Sequence, residues 1–331
     1  MRRARFIAMG IVGPLTFARA AAQNDVDPAR TWARQALRVL LGRGDAIAVS
    51  RQSFSFEGKL YRGSFERTED GEIVNLIELE SYLYSVVPRE MPAGWPPAAL
   101  QAQSICARTY VLQRSDPRRS YDLVPSELDQ VYEGMMGETA SGNSAVDATA
   151  QEVLAFAGGF AQIAYSSCCG GHTESSSEAW GSAPISYLTG VVCTSCDESP
   201  NYRWNRALAL DAIESRLAIE LTGFGRLENV QIGSRDASGR ARTLELLTDT
   251  GSTTLSGGAF RRGLGTRVLP SLLLSSVQRA GDNASVSISG AGLGHGVGLC
   301  QWGARGMAIA GRTASDILAS YFPGTDLRHL T

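Results

Sequence analysis

Two separated stretches of this 331-residue chain carry side chains placed for chemistry. In the first, Val86-Val87-Pro88-Arg89-Glu90-Met91-Pro92, two prolines bracket one carboxylate among apolar neighbours, with Trp95 close behind. Apolar surroundings raise the proton affinity of a carboxyl group, which makes Glu90 a candidate general acid. The plainer alternative is a loop carboxylate paired with Arg89. In the second stretch, Gly294-His295-Gly296-Val297-Gly298-Leu299-Cys300-Gln301-Trp302-Gly303, alternating glycines leave His295 on a backbone able to approach a ligand closely. A Gly-His-Gly loop packs a core poorly. His295 therefore reads as a hydrogen-bonding group of a site, expected to face the same cleft as Glu90, with Gln301 beside it.

A third group consists of soft ligands. Cys168-Cys169-Gly170-Gly171-His172 is followed by Cys193-Thr194-Ser195-Cys196. Cys169, His172, Cys193 and Cys196 form two close-spaced pairs, the arrangement of a closed, structural zinc site. In an exported protein, a disulfide among the same cysteines competes with that reading, and the sequence leaves both open. Cys106 and Cys300 read as small buried thiols. A catalytic zinc centred on His172 would need an open coordination position, which four protein ligands do not leave.

The elements that must position these groups are short. Between residues 38 and 80, apolar runs separated by Gly-containing turns predict a small antiparallel sheet. A helix is expected over residues 78–87, ended by Pro88, which puts Glu90 just past its terminus on a connection. Pro96-Pro97 opens a second helix reaching about Arg114. On it Ala99, Gln103, Cys106 and Tyr110 share one face, so Gln103 is expected at a cleft floor; the alternative is a buried amide satisfied by backbone. Hairpin signals follow around Asp236-Ala237-Ser238-Gly239 and over residues 272–289. Helices are expected over 212–221, with Asp211 as cap, and over 301–310, and Thr313 with Asp316 forms a capping box for a last one. Without βαβ alternation the fold class is α+β, mixed helices and small antiparallel sheets forming a cleft.

Arg2, Arg3 and Arg5, an apolar run over residues 6–17 and the small residues around Ala20-Ala21-Ala22 predict a cleaved signal peptide over residues 1–22. The expected location is outside the cytoplasmic membrane, periplasmic or associated with the cell wall. No later stretch is apolar enough to span a bilayer, so no transmembrane anchor is expected after cleavage. Residues 23–331 suffice for one large domain or two lobes. With 31 Lys and Arg against 33 Asp and Glu, the chain lacks the basic stripe that nucleic-acid binding requires, and no nucleic-acid partner is expected.

In order along the chain, Tyr82-Leu83-Tyr84-Ser85-Val86-Val87-Pro88-Arg89-Glu90-Met91-Pro92, Leu100-Gln101-Ala102-Gln103, Ala107-Arg108-Thr109-Tyr110, Gln130-Val131-Tyr132 and Cys169-Gly170-Gly171-His172-Thr173 form one set of motifs. The Gly-His-Gly-Val-Gly stretch and Tyr321-Phe322-Pro323-Gly324-Thr325 close it. The set resembles the stage II sporulation protein D (SpoIID) family, whose relatives include the amidase enhancer LytB, and the likeness covers residues 54–325. It implies a SpoIID-like fold and a lytic transglycosylase acting on peptidoglycan glycan strands. Such an enzyme cuts the MurNAc-GlcNAc β-1,4 bond using the sugar's own C6 hydroxyl. One Glu, here Glu90, then serves as acid and afterwards as base, and the product carries a 1,6-anhydro-MurNAc end. A single acid needs help to hold a polysaccharide, and the candidates are Arg89, Gln103, Arg108, Tyr110, Gln130, Tyr132, His295 and Gln301. Arg108 reads equally as an anchor for its helix. The enhancer relatives imply a second reading, a non-catalytic glycan-binding partner of a cell-wall amidase. In some members a metal-binding His-Cys pair directly precedes Gln-Val-Tyr; this chain has Leu128-Asp129 there, so any zinc is expected elsewhere and in a structural role.

Overall fold

The computed structural model describes residues 36–330 apart from 46, 224, 282 and 283, so the expected signal peptide lies outside the described residues. Two compact units divide the chain. The flanking unit holds the described residues up to Ala164 together with those from Met307 onward, and the central unit runs from Tyr165 to Gly306.

The flanking unit begins with six short strands, β1 (Leu37–Arg43), β2 (Ile47–Val49), β3 (Ser53–Phe56), β4 (Lys59–Arg62), β5 (Ser64–Arg67) and β6 (Glu72–Ile77). They form two antiparallel sheets, ordered β1-β6-β5 and β2-β3-β4. Alternation along β3 and near-continuous apolar sequence in β6 bury Phe54, Phe56, Ile73, Val74 and Ile77. Asn75 is buried with them, and its amide donates to the carbonyls of Arg62 and Ser64, both at 3.0 Å, locking β6 to the β4–β5 corner. Helices α1 (Leu79–Glu90), α2 (Pro97–Arg114) and α3 (Ala140–Ala148) pack on one another. Prolines at the start of α2 take positions whose N–H groups have no helical partner. Buried residues run all round α2, from Ala99 and Leu100 to Val111 and Leu112, because Ala99, Ala102 and Ala107 are small enough for neighbours to approach on every side. The expected place of Gln103 at a cleft floor is corrected accordingly: its side chain is buried. Strands β7 (Glu152–Phe156) and β8 (Gly159–Phe160) complete this part of the unit.

In the central unit, β9 (Tyr165–Ser166) and α4 (Ser176–Trp180) precede β10 (Trp204–Ala209) and α5 (Leu210–Arg216). Helix α5 starts two residues before the expected position, with Asp211 inside its first turn rather than capping it. The β11 (Leu227–Arg235) and β12 (Ala241–Thr248) hairpin forms as expected and gains a third strand, β13 (Gly251–Ser256), that sequence patterning missed. After α6 (Gly257–Leu264) come β14 (Leu273–Arg279), β15 (Ser285–Ala291), β16 (Leu299–Cys300) and α7 (Gln301–Ile309). One core including Trp204, Ile213, Leu244, Phe260 and Ile288 fills the space between the β11-β12-β13 and β10-β15-β14 sheets. Strands β16 and β9 pair in parallel, Leu299 opposite Tyr165 and Cys300 opposite Ser166.

The chain then returns to the flanking unit with α8 (Ala314–Tyr321) and β17 (Asp326–His329). The expected capping box opens α8: the Thr313 hydroxyl accepts from the Asp316 N–H, and the Asp316 carboxylate accepts from the Thr313 N–H. Helix α8 packs against α2, and β17 pairs antiparallel with β7. The α+β class holds throughout, and no helix among the described residues is long and apolar enough to cross a membrane.

Candidate functional site

Helix α1 does not stop before Pro88 but runs through it, so Glu90 is the last residue of the helix rather than part of a loop. A proline this close to the C-terminal end removes only the bond to the Tyr84 carbonyl, and the Met91 N–H closes the final turn on the Val87 carbonyl at 3.0 Å. Val86, Val87 and Met91 are fully buried, while Glu90 is half-buried. The Glu90 charge reaches the phenols of Tyr82 and Tyr110, whose proton affinity is raised first by burial and further by this carboxylate. Arg89 pairs with Glu133 at 2.6 Å and donates to the Met136 carbonyl at 3.0 Å. Tyr110 donates to Asp129 at 3.2 Å, and Arg114, itself 3.1 Å from Asp129, lies over the Tyr110 ring. Trp95 is held near the start of α2 by a turn in which its N–H donates to the Pro92 carbonyl. Asp129 and Glu133 were not foreseen as members of this group. Both lie on a connection without periodicity, and only the fold brings them here.

Gln103, Arg108, Gln130 and Tyr132 are buried, so none of them offers a surface to a glycan. The Arg108 guanidinium spends its donors on Glu80, at 2.9 and 2.7 Å, and on the carbonyls of Glu152 and Val146, at 2.9 and 3.4 Å. It is the helix anchor, tying α1, α2 and α3 to β7. Tyr132 donates to Asn75 at 2.8 Å and packs against Tyr61 and Tyr82. Gln130 reaches the Ala107 carbonyl at 3.5 Å. These four hold the scaffold to which α1 and α2 belong. Tyr110 is the side chain of α2 that the Glu90 charge reaches, and Asp129 and Glu133 join the group through Tyr110, Arg114 and Arg89.

In the central unit, the glycine-rich stretch is shaped by what lies under it. At Gly296, φ is +81° and a Cβ would meet the Arg240 guanidinium at 2.2 Å, so only glycine fits. The His295 Nδ1 accepts from the Val297 N–H at 3.0 Å, and the ring packs on Trp180 with centroids 5.3 Å apart. Burial, reinforced by Arg261 and Arg240 and partly offset by a hydrogen bond to the Tyr165 backbone, lowers the His295 pKa to about 4. His295 is thus neutral at pH 7 and engaged by its own loop. Gln301 is buried at the start of α7. Beneath the loop, Glu174 takes hydrogen bonds from the Ser175 N–H at 2.6 Å and the Ser238 hydroxyl at 2.7 Å, with Arg240 at 3.7 Å. Its pKa is nonetheless pushed up to about 7, because burial outweighs those partners. Neither Glu174 nor Arg240 was singled out from the sequence.

The sulfur atoms of Cys169, Cys193, Cys196 and Cys300 converge, all within 4.8 Å of one another. His172 does not join them; its Nδ1 lies 2.6 Å from the carbonyl of the adjacent Thr173. The fourth member is Cys300, which read as an isolated thiol because more than a hundred residues separate it from the other three. The parallel pairing of β16 with β9 brings it back.

Comparison with known proteins finds matches in both units. Residues 67–156 match the family described as stage II sporulation protein, SpoIID, and residues 188–298 match a domain of unknown function (DUF8618). An uncharacterized protein of Brachyspira hyodysenteriae is 31% identical over 85% of this chain and 76% of its own length. Stage II sporulation protein D of Bacillus amyloliquefaciens is 28% identical, over 79% of this chain and 77% of its own length. The amidase enhancer of Bacillus subtilis is 32% identical over 74% of this chain, which spans only 40% of that longer protein. With Glu90 and its helix inside the matched segment, the chain belongs to the stage II sporulation protein D family.

Proposed function

We propose that this protein is an exported lytic transglycosylase that cuts peptidoglycan glycan strands between MurNAc and GlcNAc, with Glu90 as acid and then base. The observation that carries the proposal is Glu90 itself, a half-buried carboxyl group on the last residue of a rigid helix, whose charged neighbour Arg89 is paired with Glu133. In the first step the Glu90 carboxylic acid gives its proton to the glycosidic oxygen as the bond to C1 breaks. The C6 hydroxyl of the same MurNAc then forms the new bond to C1 and gives its proton to the Glu90 carboxylate, restoring the acid. No water is consumed, and one carboxylate suffices. A two-carboxylate hydrolase would instead leave a reducing end. Trp95, five residues after Glu90, supplies a flat surface against which a sugar ring stacks.

The test is product analysis on purified glycan strands by mass spectrometry. Anhydro-ended fragments from the wild type and none from Glu90→Gln support the reading. Reducing ends, or anhydro ends from Glu90→Gln at a comparable rate, overturn it. The name of the Bacillus subtilis relative favours one second reading, a glycan-bound stimulator of an amidase. If that reading holds, Glu90→Gln leaves amidase stimulation intact and the wild type alone releases no fragments.

A further inference from the structure

We propose that Cys169, Cys193, Cys196 and Cys300 hold one zinc ion in a closed, four-sulfur structural site that staples three distant segments of the central unit. All four side chains are buried and all are free thiols, with the Cys169 and Cys196 sulfurs 3.8 Å apart. A disulfide would need about 2.05 Å. Four thiolates at the zinc–sulfur distance of about 2.3 Å, arranged as a tetrahedron, stand about 3.8 Å apart. The Cys169–Cys196 separation therefore matches two ligands of a common ion rather than partners in a bridge, and the other two sulfurs lie within 4.8 Å of them and of each other.

The surrounding atoms point the same way. The N–H groups of Cys169 and Gly303 both aim at the Cys300 sulfur, at 3.2 and 3.4 Å, and such donors stabilise a thiolate far more than a thiol. Zinc binding displaces the four thiol protons to solvent and leaves a doubly negative centre. The buried Arg240 guanidinium stands against the Cys169 backbone, donating to that residue's carbonyl at 3.0 Å, and brings positive charge to the site. Cys193 and Cys196 arrive as a Cys-x-x-Cys pair, a spacing suited to one ion. Four protein ligands leave no open position, so the ion orders backbone and does no chemistry. What it orders is specific. Cys169 precedes the Gly170-Gly171-His172 turn and Cys300 follows the Gly294–Gly298 loop, so both glycine-rich segments start or end on a ligand.

The inference is independent of the glycan reading and is tested on the full chain purified without added metal. Elemental analysis should give about one zinc per chain, and zinc-edge X-ray absorption should show a shell of four sulfurs. Cys300→Ser should lose the zinc, whereas His172→Ala and Cys106→Ser should keep it. If Cys300→Ser does not fold, cobalt substitution of the wild type replaces it, and the expected result is the charge-transfer and d–d spectrum of a tetrahedral four-thiolate centre. A shell of three sulfurs and one nitrogen together with loss of zinc in His172→Ala overturns the assignment of Cys300. Stoichiometric iron, or no stoichiometric metal whether or not peptide mapping finds a bridge, overturns the site.

Discussion

The end of α1 and the cysteine cluster of the central unit both hold reactive side chains on ordered backbone, and they differ in what surrounds the group. Glu90 keeps part of its surface open, and its order comes from its own helix, held by the buried Val86, Val87 and Met91 beside it and by Arg108 clamped to Glu80 at the far end. The four cysteines are sealed and ordered by the convergence of three segments. A group that must exchange a proton with a polymer has to remain at the edge of its scaffold, so rigidity must be supplied by buried neighbours that never touch the substrate. A group that only has to hold can lie within the scaffold. The buried glutamines, arginine and tyrosine of the same unit illustrate the first arrangement, and they are the residues a motif reading places in the cleft.

Four experiments can break or sharpen that contrast. Glu90→Gln should lower anhydro-product formation about 10²- to 10⁴-fold, the range of a lost general acid. Its melting curve should stay within about 1 kcal/mol of wild type; a larger fall would make Glu90 part of the scaffold. Arg108→Ala should reverse the pattern, costing about 3–5 kcal/mol in denaturant titration by leaving Glu80 without its buried partner. Gly142→Ala tests how directly the scaffold aims the acid. An added Cβ would stand 2.4 Å from the Pro88 ring, two residues from Glu90, so the end of α1 must shift. The expected cost is about 1–3 kcal/mol, with activity falling and zinc content unchanged.

The smallest effect is a pair of opposed titrations in the central unit. His295 has its pKa lowered from 6.5 to about 4, so its contribution to stability is fully present above 6.5 and is lost as pH falls toward 4. Glu174, facing Arg240 and Asp236, has its pKa raised from 4.5 to about 7, so its contribution is fully present below 4.5 and is lost as pH rises toward 7. Between about pH 4.5 and 6.5 the two slopes oppose each other. Wild-type stability should therefore be nearly flat there, and single variants should unmask each slope. Glu174→Gln should lose roughly 1 kcal/mol per pH unit on acidification, and His295→Gln should gain a similar amount. Parallel curves for all three proteins in pH-dependent melting would remove both groups from the account.

Much of the scaffold was legible because it obeys local rules. Turn glycines separate strands of the expected lengths, Pro97 opens α2, and Thr313 with Asp316 caps α8. Glu90 was legible as a candidate for the same reason, since its setting is written in adjacent residues. What failed were inferences needing knowledge of the third dimension. Pro88 reads as a helix terminator, yet a proline near a helix end breaks one bond and no more. One stripe of α2 reads as a cleft floor, yet its alanines admit neighbours on all sides. Cys300 carries no nearby partner in the sequence, and nothing short of the β9 and β16 pairing returns it to Cys169.

Strand β17 sets an order of assembly. Among the described residues, the flanking unit takes sequence from both sides of the central unit, whereas the central unit is one continuous segment. β7 has β8 on one side, but its other side is covered only by β17, through Asp326 opposite Ala155 to His329 opposite Glu152. While the chain is being made, the central unit has all of its residues before the Glu90 unit has its last strand. Until β17 arrives, β7 presents a row of unpaired N–H and C=O groups, the kind of edge that recruits strands from other molecules. A chain cut before Asp326 would retain Glu90, Arg89, Tyr110 and all four clustered cysteines and would still be vulnerable along that edge. Pairing of β17 with β7 thus covers an edge of the unit that carries the candidate acid.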